Sequence, residues 1–222
     1  MTVRILITGF GRFPGSPVNP SGPIATRLAH RRRPAFAGTR RVAHVFATRY
    51  DAVDRELPAL LAREKPDIVV MFGVATRTRR VRIEERARNR IALFPDAGGY
   101  RPAAPVIASR REALRNPLPV ARLVNAARAT GIAAVRSRNA GAYLCNYVYW
   151  RALEAAARPD GPGFVIFVHV PPVVLTKRRK RRRTGKRRPA RLADLIRAGE
   201  AIVLAMKSLA AGRRFERAKQ PA

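Results

Sequence analysis

Short apolar runs alternate along this chain with longer segments whose apolar residues recur every three or four positions. Val3 to Thr8 is a β-branched run and predicts a strand. Gly9 to Pro20 is rich in Gly, Pro and Asn and reads as a loop. A helix follows from about Pro23 to Arg31, with Ser21 as its expected N-cap. Arg41 to Thr48 predicts a second strand. Asp51 is expected to cap a helix carrying Val53, Leu57, Leu60 and Leu61 on one face. Asp67 to Gly73 and Phe164 to Val170 read as buried strands, and Ile132 to Ser137 as another. A helix with Val120, Leu123, Val124 and Ala127 on one face precedes that last strand and stops at Gly131. Leu192 to Leu209 closes the pattern as an amphipathic helix, with Gly199 on its inner face where a neighbour could pack close. The stretch from Arg90 to Pro117 has little periodicity and is expected to hold long loops and a hairpin. Continuous apolar strands between amphipathic helices predict an α/β three-layer sandwich, a mostly parallel twisted sheet flanked by helices.

At 222 residues, with 47% hydrophobic residues, the pattern fits one domain spanning 1–222 with a substantial core. The N-terminus is apolar only briefly and reads as a first strand rather than a signal peptide. No apolar run approaches the length of a membrane span. A cytoplasmic protein with no membrane partner is the expectation. The net charge of +32 changes the picture of its partners. Ten of the twelve residues from Lys177 to Arg188 are Lys or Arg, and setting them aside still leaves +22. Such a field attracts polyanions whatever the fold. The tract is too charged to pack and is expected to be a disordered surface loop over 177–190. It contains no aromatic residue, so any nucleic-acid binding there would be sequence-blind phosphate contact rather than base stacking.

Cys145 is the single cysteine. That excludes an intrachain disulfide framework and a multi-cysteine zinc site. Small residues lead into it and a helix-forming stretch from Tyr147 to Leu153 follows, which puts the sulfur at or near a helix N-terminus. There, unpaired N–H groups and the helix dipole favour a thiolate, a candidate nucleophile. The alternative is a buried, inert thiol. A nucleophilic cysteine needs a base, and there are three histidines. His30 sits among Arg31, Arg32 and Arg33 at a helix end and reads as solvated. His44 lies within a strand and reads as structural. His169 ends the strand from Phe164, just before Pro171-Pro172, where open α/β sheets collect functional groups. Among the scarce carboxylates, Glu84 and Glu85 are adjacent. If Val81 and Ile83 share one face of a strand, Glu85 joins them and Glu84 points the other way. Charge density alone favours both glutamates pairing with neighbouring arginines.

These residues fall into motifs. Thr8-Gly9-Phe10-Gly11-Arg12-Phe13 is followed by Asn19-Pro20-Ser21. Gly73-x-Ala75 leads to Glu84-x-x-Ala87-x-Asn89. Pro95-Asp96 with Gly98, and Leu118-Pro119-Val120, come next. Asn139-Ala140-Gly141-x-Tyr143-Leu144-Cys145-Asn146 and Phe167-Val168-His169-Val170-Pro171 complete the series. In this order and spacing the chain resembles the pyroglutamyl peptidase I (pyrrolidone-carboxylate peptidase) family of cysteine peptidases, over nearly its whole length. The resemblance implies an exopeptidase acting on peptides with an N-terminal pyroglutamate, through a thioester, with no cofactor and no metal. It implies Cys145 as nucleophile, His169 as base and acid, and Glu84 as the group orienting His169. It also implies a pyroglutamyl pocket walled by Phe10, Phe13, Tyr143 and Leu144, and assembly as a homo-tetramer. The chain departs from the family after the glutamate, where it has Glu85-Arg86, in the turn Ala75 to Arg80, and in the basic tract. Two other readings stand beside this one: a family member without turnover, and sequence-independent nucleic-acid binding through the basic loop.

Overall fold

The computed structural model describes residues 2–13, 17–109, 112–173 and 190–219, with the side chains of 213–219 left aside. The basic tract 177–188 lies outside the described residues. Six strands form one sheet in the order β2-β1-β3-β8-β4-β7. They are β1 (Val3–Phe10), β2 (Thr39–Phe46), β3 (Ile68–Val74), β4 (Val81–Glu84), β7 (Ala134–Ser137) and β8 (Phe164–Val170). β1, β2, β3 and β8 run parallel; β4 pairs antiparallel with β8 and parallel with β7. The sheet is thus mostly parallel, as the apolar strands predict. Every residue of β3 is buried, because helices cover both faces.

The alternation of the strands sorts the core into two layers. Ile5, Ile7, Val70, Phe72, Ile83 and Val168 face α1 (Ser21–His30), α3 (Val120–Ala129) and α5 (Leu192–Lys219). Leu6, Phe10, Val69, Met71, Val165 and Phe167 face α2 (Tyr50–Glu64) and α4 (Leu144–Ala156). A Cβ on Gly199 would lie 2.9 Å from Leu28 Cδ1, so that glycine does let α5 pack close against α1.

Three local expectations are corrected. Ser21 does not cap α1: it is the first helical residue, and its Oγ accepts from Phe10 N–H at 3.0 Å and donates to Asn19 Oδ1 at 2.7 Å. The Asn-Pro-Ser motif thereby ties the end of β1 to the start of α1. Asp51 does not cap α2 either. It sits in the first turn and pairs with Arg49, while Tyr50 N–H donates to Asp96 Oδ2 from a distant loop. Asp96 Oδ1 also accepts from Gly98 and Tyr100, which accounts for the Pro-Asp-x-Gly motif as a turn. Finally, the hairpin is not contained within 90–117. β6 (Ala113–Arg115) pairs antiparallel with β5 (Arg86–Arg88), which lies before that stretch and continues from β4.

Candidate active site

The site forms where β3 and β8 end and α4 begins. Gly73 and His169 are partners in the parallel β3–β8 register. Adjacent strands lie about 4.8 Å apart, and paired residues point to the same face. His169 therefore projects toward α4, beside the space above Gly73. Cys145 fills that space: a Cβ on Gly73 would sit 2.7 Å from its Sγ and 2.7 Å from Phe167 Cζ. Gly73 is the residue that lets a helix N-terminus bring a sulfur down onto the sheet next to the imidazole. A glycine in an otherwise apolar, β-branched run is the signal that marks such a close approach.

Alternation along β4 selects between the two glutamates. Val81 and Ile83 face α3 and α5, so Arg82 and Glu84 face α4. Glu84 is fully buried, and its Oε1 lies 2.9 Å from His169 Nδ1, itself 5% exposed. Oε2 accepts from Asn139 N–H at 3.2 Å, and Tyr149 Oη donates to the Glu84 carbonyl at 2.9 Å. Glu85 turns outward and pairs with Arg136 and Arg138. The arginine-pairing expectation holds for both: Glu85 pairs with Arg136 and Arg138, and Glu84 lies 3.5 Å from Arg82 Nη2, but the shortest contact of Glu84 is with an imidazole. The His169 ring is tilted over Phe167 at 4.8 Å between centroids, which limits its rotation.

Burial alone would push the Glu84 carboxyl up. The hydrogen bond and charge of His169, with Ser137 and Arg82, outweigh it and hold the carboxyl below its ordinary value. Cys145 behaves in the opposite way. It is the second residue of α4, as the sequence predicts. Yet burial, with the charge of Glu84, pushes its thiol up to about 12, against the smaller effect of its own backbone N–H. The expectation that the helix start alone stabilises a thiolate is therefore corrected: at rest the half-buried sulfur carries its proton.

The remaining predicted residues are placed as follows. Leu144 and Phe10 are buried in the core between the sheet and α2 and α4, with Phe10 tilted against Phe46. Tyr143 is half-buried, stacks on the exposed Phe94 at 4.5 Å, and donates to Pro95 O at 3.2 Å. Phe13 is half-buried and outside both described core layers. His44 bonds Glu56 at 2.8 Å and His30 contacts Thr26 O, so neither reaches the site. Asn146 holds the start of α4 to β5: its Nδ2 donates to Arg88 O and Arg90 O, and its Oδ1 accepts from Arg88 N–H. Gly141, at φ +89°, occupies the left-handed region that the turn into α4 requires. A cavity of about 1040 Å³ lies elsewhere, among the ends of α2 and α4 and the start of β8, far from Cys145 along the strands. Among the described residues, no cluster of three His, Cys, Asp or Glu side chains is placed to hold a metal ion, and no helix is long and apolar enough to cross a membrane.

Residues 3–199 match the family model described as pyroglutamyl peptidase. The chain belongs to the pyroglutamyl peptidase family. It is 31% identical over 171 residues to a pyrrolidone-carboxylate peptidase of Thermococcus onnurineus, covering 76% of this chain and 84% of the relative. A Gloeobacter violaceus pyrrolidone-carboxylate peptidase is 35% identical over 173 residues, covering 76% of this chain and 83% of the relative. In three dimensions the chain is similar to a mutant pyrrolidone carboxyl peptidase of the hyperthermophile Pyrococcus furiosus. That match has a TM-score of 0.79 at 26% identity and covers 93% of this chain and all of the other. The family is one of cysteine peptidases, and the shared α/β sandwich is its fold.

Proposed function

We propose that this protein is a cysteine exopeptidase that removes an N-terminal pyroglutamyl residue from peptides, with Cys145 as nucleophile, His169 as base and acid, and Glu84 orienting His169. One observation carries the reading: a buried Glu84–His169 pair at 2.9 Å lies beside the only cysteine in the chain, seated over His169's register partner Gly73. Glu84 accepts at Nδ1, which leaves Nε2 of His169 as the atom to take the Cys145 proton. Sγ then bonds to the pyroglutamyl carbonyl carbon. The oxyanion faces the first-turn N–H groups of α4, that of Cys145 among them. As the C–N bond breaks, His169 passes its proton to the departing amine and a thioester remains. Water, activated by the same imidazole, hydrolyses the thioester and releases pyroglutamate with the thiol restored. A lactam is compact and uncharged, so its pocket is an apolar slot with few polar contacts. Phe10, Phe13, Tyr143 and Leu144 are the proposed walls.

The test is hydrolysis of a chromogenic pyroglutamyl substrate before and after alkylation with iodoacetamide. With one cysteine in the chain, loss of turnover on modification assigns the nucleophile. Cys145→Ala should lower kcat/KM by on the order of 10⁴-fold with the fold intact. An alanine variant that keeps a tenth of the rate sinks the mechanism.

The charge of +32 favours a second, compatible activity, non-specific binding of polyanions. Its measure is the salt slope of binding to random duplex DNA, which should flatten when 177–188 is replaced by a Gly/Ser linker, since each phosphate contact contributes about 0.9 to that slope. An unchanged slope removes the tract from that role.

A further inference from the structure

The ribbon running from β4 into β5 presents its even-numbered side chains to one target. Arg82 Nη2 donates to Asn139 O at 2.6 Å and to Ser137 Oγ at 2.6 Å, with Nε on the same hydroxyl at 3.2 Å. Glu84 Oε2 accepts from Asn139 N–H. Arg86 Nε donates to Arg138 O at 3.0 Å, and Arg88 Nη2 lies 3.4 Å from Gly141 O. Four side chains, Arg82 and Glu84 from β4 and Arg86 and Arg88 from β5, thus bond residues 137–141, the segment that delivers Cys145 to the sheet. Arg82 does something the other arginines do not. Its Nη2 is 3.5 Å from Glu84 Oε1, the oxygen that holds His169 Nδ1. In the antiparallel β4–β8 register it stands directly opposite His169.

We propose that Arg82 is a positioning residue of the active site: it locks the loop into Cys145 and shares the Glu84 carboxylate with His169. The inference rests on the peptidase reading above but draws on contacts that reading does not use. Two consequences follow from the geometry. Nε and Nη2 hold the Ser137 hydroxyl together while Nη2 also meets the Asn139 carbonyl and the Glu84 carboxylate, a two-nitrogen arrangement that the single ammonium nitrogen of lysine does not reproduce. Arg82 also places a positive charge beside the carboxylate that would stabilise an imidazolium. Among the described residues, the charged and titratable side chains facing His169 are Arg82 and Glu84 from β4, and Cys145 and Tyr149 from α4; β3 presents only Gly73. Arg82 is the single cation in that set. Removing it takes the one cation away from the shared carboxylate, so a reaction that works through the neutral form of the pair requires higher pH. Proton transfer from Cys145 to the His169 imidazole is subject to the same shift. Arg82 is partly exposed, so solvent damps both effects without changing their sign.

The experiment compares wild type, Arg82→Ala and Arg82→Lys, with Arg55→Ala, on the outer side of α2, as the baseline for losing one surface arginine. Thermal melts establish that each variant is folded. Two readouts are followed against pH: kcat/KM on the pyroglutamyl reporter, and the rate of Cys145 alkylation by iodoacetamide. Arg82→Ala should lower kcat by about tenfold or more and move the acid limb of both profiles up by about half a pH unit. Guanidinium ion should restore several-fold activity to Arg82→Ala and nothing to Arg55→Ala. Arg82→Lys should remain impaired. Profiles of Arg82→Ala that superpose on those of Arg55→Ala, or the absence of guanidinium rescue, would overturn the proposal. If the wild type fails to hydrolyse the reporter, the peptidase reading falls, and the alkylation profiles still decide whether Arg82 acts on the cysteine–histidine pair.

Discussion

Gly73→Ala tests the arrangement that carries the whole site. The added methyl would lie 2.7 Å from Cys145 Sγ and 2.7 Å from Phe167 Cζ. Non-bonded carbon contacts are optimal near 3.5–4.0 Å, so Sγ or β3 must retreat by about 1 Å. The backbone at Gly73 lies in a regular strand, so the conformation itself tolerates alanine, and the clash alone makes the difference. Both clashing atoms belong to side chains rather than backbone, and Cys145 Sγ can turn aside, so the variant should fold. Overpacking of this kind costs about 1–3 kcal/mol. In a chain of this size that lowers the melting temperature by a few degrees, at about 2–4 °C per kcal/mol. Activity is the sharper measure, since a misplacement of about 1 Å in a reacting group costs about 10²-fold. Steady-state hydrolysis of a pyroglutamyl reporter, paired with a thermal melt, reads both numbers. A folded Gly73→Ala enzyme within about threefold of wild-type kcat would refute the reasoning, because the sulfur would then not need the space over that glycine. The same substitution should leave the proposed binding of duplex DNA unchanged, which separates the proposed peptidase site from the charge of the surface.

Three further outcomes are expected. His169→Ala should fall nearly as far in kcat/KM as Cys145→Ala, since residues acting as a unit do not contribute additively. Glu84→Gln should be damaging but milder, because an amide can still hold the ring without stabilising imidazolium, and Glu85→Gln should be near neutral; if Glu85→Gln is the worse of the two, the carboxylates have been assigned the wrong way round. Acid stability follows from the depressed Glu84 carboxyl: the folded state releases this proton more readily than the unfolded chain, so the pair's contribution is present above about pH 4.3 and is lost as pH falls through the lower folded value. Melting temperatures between pH 7 and pH 3 should drop less steeply for Glu84→Gln than for wild type, and parallel slopes would mean the pair does not couple to folding.

How far the sequence discloses this arrangement depends on the range of the interaction. Alternation is local, and it places Glu84 opposite Val81 and Ile83 without any knowledge of partners. The run of small residues before Cys145 and the aromatic stretch after it mark the start of α4 by chain-local chemistry as well. The caps failed for the opposite reason. Ser21 and Asp51 are good capping residues, but the N–H of Tyr50 finds its acceptor on Asp96, 46 residues along the chain, and Ser21 is drawn to Phe10 and Asn19. No propensity encodes such partners. Arg82 was equally opaque: one arginine among 46 basic residues carries no signal until the register sets it opposite His169. Gly73 was legible in principle, as a glycine interrupting Ile68 to Val74, but its meaning needed the helix that descends on it.

The proton inventory of the site explains how a lone thiol serves in a chain so rich in charge. Burial, with the Glu84 carboxylate, pushes Cys145 up to about 12, so the sulfur at rest is neutral despite its seat at a helix start. The positive exterior does little to reverse this, since charges beyond about 8 Å are screened at physiological salt. In the proposed mechanism the thiolate is therefore made, not stored. It forms when the His169 base, held by Glu84, takes the proton as the carbonyl arrives, and the imidazolium so created is balanced by the same carboxylate. That division suits the proposed mechanism, which depends on one cysteine with no second thiol to repair it. A permanent thiolate would be open to oxidation and alkylation between turnovers, whereas a protonated sulfur packed over Gly73 reacts more slowly with such reagents. On this argument the alkylation rate of Cys145 at neutral pH should lie well below that of a free thiol, and a rate matching or exceeding it would show that the sulfur rests as a thiolate after all.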